Sequence, residues 1–294
     1  MKKTKISSIG ELLDHVDFLR KEWAPVNEDE LWFRGESQEY PDTFLRPELY
    51  RPQRDNQGKN LPLKKINELL NIENDLYKEF QRCSLQLLTE GNLTDDWDWN
   101  AYFLMQHHSA PTRLLDWSDG ALMALHFAVR NRNDDDKDAV VYVLASDKLF
   151  GEIDKTAEVR KAEERCKKYV KKHPEVTTAA DDYAVFYLPE EDGSDERRYL
   201  PKAPCVLIFD HITRRVAAQR SQFIVFGKNP NWLADKSQKP NSYIKPIIID
   251  KKARPKIRRQ LRDAGVTESV IFPDLDGLGR ELRQLWEDKK TPSK

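Results

Sequence analysis

Cysteine is scarce in this chain. Cys83, Cys166 and Cys205 stand far apart among 294 residues, with no CxxC pair. A disulfide framework and a cysteine-built zinc site are therefore not indicated, and the reading is a reducing compartment. The histidines form no HxxxH or HExxH pattern, so a zinc hydrolase of the usual kind is disfavoured and no metal is expected. Charge of one sign is not in excess: 49 basic residues face 50 acidic ones, which leaves no global field for nucleic acid. The basic start, Met-Lys-Lys-Thr-Lys, is followed by no apolar segment. Neither a signal peptide nor a membrane span is expected, and the reading is a cytoplasmic protein without a membrane partner. Internal repeats and long low-complexity tracts are missing as well.

What is present is an α+β pattern with 39% hydrophobic and 34% charged residues. Residues 8–23 read as an amphipathic helix capped by Ser8 and ended by Pro25. A short strand, Leu31-Trp-Phe33, delivers Arg34 and Gly35 at its end. Prolines 41, 47 and 52 mark a loop that carries Arg46. A long helix is predicted over 63–88, with Ile66, Leu69, Leu70, Leu76, Phe80, Cys83 and Leu87 as its buried face. A second helix covers Asn100 to Gln106. Leu122, Leu125, His126 and Val129 repeat at helical spacing, and Ser118 or Asp119 offers the cap. Ala139–Leu144 is a continuous apolar run suited to the centre of a sheet. Val206–Phe209, Phe223–Phe226 and Tyr243–Ile249 read as further strands. Residues 150–200 read as a peripheral helical, charged insertion with an exposed Glu190–Arg198 loop. The basic segment Lys251–Ala264 reads as a helix from Pro255 to the stop at Gly265, either solvated or in contact with nucleic acid. Ser269–Phe272 reads as extended and 278–287 as the last helix. The expected organisation is a helical lead-in over 1–27, one domain over 28–288 and a tail over 289–294. Its centre is a mixed β-sheet flanked by helices.

The densest run of reactive side chains is 106–118, where His107, His108, Thr112, Arg113, Asp116, Trp117 and Ser118 adjoin an apolar helix. An arginine fork binds phosphate or carboxylate bidentately, and glycine permits close ligand approach, so Arg34 and Gly35 are candidates for anion binding. A second polar cluster, Asp210, His211, Arg214, Arg215, Gln219, Arg220, Ser221 and Gln222, lies between two predicted strands and is its natural partner.

Taken together, Phe33-Arg-Gly35, Gln106-His107, Pro111-Thr-Arg-Leu-Leu-Asp-Trp-Ser118, Ala124-Leu-His-Phe-Ala128, Arg215 with Gln219 and Phe223, and Phe272-Pro-Asp-Leu-Asp-Gly277 resemble the FRG domain family. The resemblance runs from about residue 28 to about 285. Two serines, Ser109 and Ser221, stand where the family has glycine. The resemblance implies a part of a prokaryotic toxin or antiviral defence locus, with an antitoxin or regulatory partner.

A looser resemblance is to ADP-ribosyltransferases, through Trp32-Phe-Arg-Gly35, Leu114-Leu-Asp-Trp-Ser118 and Ala124–Ala128. It implies an ADP-ribosyltransferase-like core and NAD as substrate. Arg34 would then hold a phosphate and Arg113 would do the same or orient Asp116. Trp117 or Phe33 would stack on nicotinamide, and Ser118 would shape the ribose pocket. Gly35 and Arg215 would complete the binding set. Asp116, then Glu36, is the candidate acid, with His107 as general base. Gln219-Arg-Ser-Gln222 falls where those enzymes carry a glutamate, and has no carboxylate. The acceptor would be a nucleic acid or a protein. Two rival readings remain. One is a nuclease using His107, His108, Asp116 and His211. The other is a non-catalytic anion pocket of Arg34, Arg46, Arg113 and Arg215.

Overall fold

A computed structural model describes residues 4–24, 31–41, 43–84, 87, 97–172, 183–189, 200–207 and 214–290. The chain begins with strand β1 (Thr4–Ile6), helix α1 (Ile9–Trp23) and strand β2 (Leu31–Glu36). Helices α2 (Ile66–Ser84) and α3 (Trp97–His107) precede β3 (Leu114–Ser118), α4 (Ala121–Val129) and β4 (Ala139–Ala145). Then come α5 (Ser146–Ile153), α6 (Ala157–Lys172), β5 (Cys205–Leu207), α7 (Arg214–Gln219) and β6 (Ser221–Val225). The remainder is α8 (Trp232–Ser237), β7 (Ile244–Ile249), α9 (Arg254–Asp263), α10 (Glu268–Ile271) and α11 (Leu275–Lys290). The strands form one mixed sheet, ordered β1-β7-β4-β2-β3-β6-β5. Only β1 and β7 pair in parallel among these strands. The class is α+β, as expected.

Strand alternation divides the core. Leu31, Phe33, Val141, Val143 and Ile247 face α1, α4 and α9, where they meet Leu12, Leu125 and Ile257. Trp32, Leu115, Trp117, Val140, Tyr142 and Ile224 point the other way, against Tyr50, Leu149 and Leu233. Leu114, Phe223 and Val225 share the first face but lie under α2 and α3, with Tyr77, Tyr102 and Phe103. Two helical layers thus cover one face, and between them runs the boundary of β2 and β3. These two strands share a single registered pair, Phe33 with Ser118. β2 pairs with β4 along its whole length, from Leu31 opposite Ala145 to Glu36 opposite Val140.

Helix α1 follows its pattern, with Ser8 Oγ accepting the Glu11 N–H and Leu12, Val16, Leu19 and Trp23 buried. Helix α2 does not: its buried residues include Leu69, Leu70, Glu73, Asn74 and Tyr77, whereas Leu76 and Leu87 are exposed and so is Cys83. The reason is that the buried side carries a carboxylate needed by Arg113, which hydrophobic periodicity cannot show. Helix α4 starts after Gly120 without a side-chain cap; Ser118 Oγ accepts the Gly120 N–H just outside it. Residues 268–271 form a helical turn rather than an extended segment, because Glu268 and Ile271 both turn inward. The 150–200 region is helical, yet it also supplies core: Val159, Ala162, Cys166 and Tyr187 are buried. Its Glu190–Arg198 loop lies outside the described residues, as do Phe209, Asp210 and His211.

Basic helix α9 is a structural element. Arg254 is fully buried and donates to the carbonyls of Ser37, Asn131 and Lys137. Arg258 pairs with Asp135.

Candidate functional site

A cleft of about 250 Å³ opens where β2 and β3 part. Phe33, Arg34 and Gly35 line it from β2, Asp116, Trp117 and Ser118 from β3, and Gln106 and His107 from the end of α3. Ala124 and Phe127 contribute from α4, Arg215, Val216 and Gln219 from α7, and Ser221 and Phe223 from β6. The chain therefore brings together Arg34, Gly35, His107, Asp116, Ser118, Arg215 and Gln219, residues spread over most of its length.

Asp116 is the best-supported carboxyl of the cleft. Gln106 Nε2 donates to its Oδ2 at 2.7 Å, and Thr112 Oγ1 donates to Gln106 Oε1 at 2.6 Å, which fixes the amide orientation. Arg34 Nη1 donates to the Asp116 carbonyl at 2.7 Å. Burial raises the Asp116 carboxyl above its ordinary value, against the pull of Arg34 and Arg215. His107 is pushed down to about 4 by burial, with the positive charge of Arg215 adding to it. At neutral pH this imidazole is uncharged and can accept a proton. Ser118 Oγ donates to the Gln219 carbonyl at 2.8 Å, tying β3 to the end of α7. Arg215 makes no ion pair among the described residues; its Nη1 reaches the His107 carbonyl at 3.4 Å and its guanidinium lies 4.5 Å from the centre of the Phe272 ring.

Two expected site residues, Arg113 and Glu36, are placed elsewhere, and Trp117 borders the cleft while its side chain packs in the core behind it. Arg113 is 2% exposed and does not line the cleft. Its guanidinium donates to Glu73 and to the carbonyls of Phe226 and Tyr187, and burial works against its charge while Glu73 holds its pKa above the ordinary range. It is a core ion pair, not a phosphate ligand or an Asp116 orienter. Trp117 alternates with Asp116 along β3, so its indole enters the opposite core. Glu36 turns to that face too, where one oxygen accepts Arg34 Nε at 3.1 Å. It is the counter-ion of Arg34, outside the cleft lining. Arg46 binds Asn231 Oδ1 in a separate basin.

Gly35 also has a packing reason that the sequence does not show. A Cβ there would fall 1.8 Å from the Ala124 carbonyl oxygen and 2.7 Å from the Ala128 nitrogen. Glycine lets α4 press directly on β2, with small Ala124 and Ala128 at the contact. Ser109 adopts φ 64°, a conformation glycine favours. At the other turn Arg220 carries the positive φ, 50°, and Ser221 is already in strand β6.

Phe127 and Phe272 were missed as site residues. Phe127 lies in an apolar helical pattern, which hides its place on the cleft wall. Phe272 belongs to the Phe272–Gly277 motif, and that signal was available. Among the described residues no group of three or more His, Cys, Asp or Glu could hold a metal, and no helix is long and apolar enough to cross a membrane. The family model of the FRG domain matches residues 29–137. That segment supplies the β2, α3, β3 and α4 walls, while Arg215 and Gln219 lie beyond it. No curated protein and no solved structure gives a significant match.

Proposed function

From an FRG domain over residues 29–137, we propose that the cleft at the β2–β3 boundary is a nucleotide site with ADP-ribosyltransferase-like chemistry. The observation that carries this reading is the meeting of half-buried Asp116, uncharged His107 and cationic Arg215 in one aromatic-walled cleft. The strands that bear Arg34, Ser118 and Ser221-Gln222 lie side by side as β2, β3 and β6, which supports the reading.

Breaking the nicotinamide–ribose bond of NAD leaves positive charge on the ribose, and a fixed carboxylate stabilises it. Asp116, held by Gln106, takes that role. An acceptor hydroxyl or amine forms the new bond to the ribose carbon, nicotinamide leaves with the bonding electron pair, and His107 receives the acceptor's proton. Phe33 and Phe127 replace Trp117 as the apolar flank for the nicotinamide ring. Arg34, braced by Glu36, orders the Asp116 backbone. In this reading the protein is a cytoplasmic toxin or antiviral effector that modifies a nucleic acid or a protein and is restrained by an antitoxin or regulatory partner. The absence of a carboxylate at Gln219-Arg-Ser-Gln222 favours one second reading, a nucleotide-binding module without turnover.

The test is nicotinamide release from NAD in the presence of protein extract, RNA or DNA, with Asp116→Asn and His107→Gln beside the parent chain. Loss of a general acid or base lowers such a rate by roughly 10²–10⁴-fold. No release with any acceptor, together with calorimetric NAD binding, selects the binding module. No release and no binding ends the nucleotide reading.

A further inference from the structure

Phe272 is buried beneath arginines. The guanidinium carbons of Arg215, Arg130 and Arg280 stand 4.5, 4.6 and 4.6 Å from the centre of its ring. They come from α7, from the end of α4 and from α11, so folding has to bring them together. Glu268, 1% exposed at its side chain, compensates part of this charge: it accepts from Arg130 Nε and Nη2, from Arg280 Nε and contacts His126 Nε2. Asp274 and, from the cleft, Asp116 attract Arg215, while Arg280 and Arg130 repel it. Among the described residues only Glu268 makes ion pairs with any of the three guanidiniums, and the outward N–H groups of Arg280 and Arg215 have no carboxylate in contact.

The cluster also has a position. Arg215 lines the inner cleft, and Arg130 lines an open basin of about 550 Å³. Cleft and basin share Gly35 and Phe127, and the Phe127 ring meets Phe272 edge-on at 6.0 Å. The cleft alone, about 250 Å³, is too small for a dinucleotide, since pockets for drug-sized ligands run from ~300 to 1,000 Å³.

We infer that Arg130, Arg215 and Arg280, gathered on Phe272, form a diphosphate subsite between the cleft and the basin. The aromatic ring spaces the guanidiniums and attracts them through its π-face, and a diphosphate offers the oxygens their outward forks require. Arg34 is tied to Glu36 and to the Asp116 carbonyl, so the phosphate-binding role passes from Arg34 to this cluster. The nicotinamide ribose then occupies the cleft and the second nucleoside the basin. This assignment of halves rests on the nucleotide reading above; the anion subsite itself does not.

Calorimetry on the full chain with inorganic pyrophosphate, NAD and nicotinamide riboside separates the two. Arg280→Gln is the main variant, because Arg280 is more exposed than Arg130 and Arg130 keeps Glu268 covered; Arg215→Gln is the second. Pyrophosphate should bind the parent chain and lose roughly tenfold or more in either variant, as expected for removing a charge-assisted hydrogen bond. Nicotinamide riboside, which has no phosphate, should bind Arg280→Gln as it binds the parent. If pyrophosphate fails to bind, or binds parent and both variants alike, the subsite is overturned. If pyrophosphate binds as expected and neither NAD nor nicotinamide riboside binds, the subsite stands and the nucleotide reading falls.

Discussion

Replacing Glu73 by alanine removes the partner of a guanidinium with no route to water. Arg113 is 2% exposed and Glu73 is fully buried. The Glu73 carboxylate accepts the Arg113 side chain, the Arg113 backbone N–H at 2.9 Å and the Tyr102 hydroxyl. The substitution strands a buried cation and the Tyr102 hydroxyl proton, while the Arg113 backbone N–H keeps the Tyr102 oxygen as acceptor at 3.0 Å. Breaking a buried pair from one side costs about 3–5 kcal/mol, a large part of the ~5–15 kcal/mol that stabilises a typical protein. For a chain somewhat longer than 150–250 residues, at about 2–4 °C per kcal/mol, the melting temperature should fall by roughly 6–20 °C. Urea unfolding of the parent, Glu73→Ala, Arg113→Met and the double variant measures the coupling directly. The double variant should recover most of the loss, because apolar groups of similar volume replace buried pairs at little cost. Should Glu73→Ala cost less than about 1 kcal/mol while nucleotide binding collapses, Arg113 would belong to the binding site and its placement as a core ion pair would be wrong.

Gly35→Ala should lower the melting temperature markedly, with a loss of ~1–3 kcal/mol or more, because its Cβ would meet the Ala124 carbonyl oxygen at 1.8 Å and α4 would have to lift from β2. Glu268 should give an acid-side stability limb. Burial opposes its ionised form, but the His126 hydrogen bond and the charge of Arg130 bring it down to about 2 from 4.5. A depressed carboxylate stabilises the fold above its unfolded value, so ~2–3 kcal/mol should disappear as pH falls from 4.5 toward 2, and Glu268→Gln should flatten that limb in urea titrations. Any transferase activity should fall as pH drops through about 4, where His107 takes up a proton, and retention of that limb in active His107→Gln would assign it to another group.

Helix α1 and strand β4 were legible because each obeys one simple rule: a serine cap with apolar residues on one stripe, and an unbroken apolar run covered on both sides. The site was legible in its chemistry more than in its geometry. His107, Asp116 and Ser118 sit together in sequence, and the distant polar cluster at Arg215–Gln219 joins them as expected. Trp117 could have been set aside from sequence, since period two along 114–118 sends 115 and 117 away from 116 and 118. Glu36 could not be set aside in this way, because it shares a face with Arg34; its role as the Arg34 counter-ion is read only from the folded chain. Arg113 could not, because its partner lies forty positions earlier in a helix whose apolar residues suggest another face. Phe272 gathers arginines from separate elements, and no local pattern announces a contact made only in the folded chain.

The meeting of β2 and β3 at a single rung has a mechanical consequence. On the side of Trp32, Leu115 and Trp117 the two halves of the sheet share one continuous core; on the side of Asp116 they part around the cleft. The seam is held by the Phe33–Ser118 pairing and by the Arg34 guanidinium on the Asp116 carbonyl, bonds of about 0.5–1.5 kcal/mol each. Two plates joined along one edge are soft to bending about that edge and stiff to sliding across it. Whatever enters between them loads the joint as a wedge, and the backbone amides of 33–35 and 116–118 are the places where that load registers.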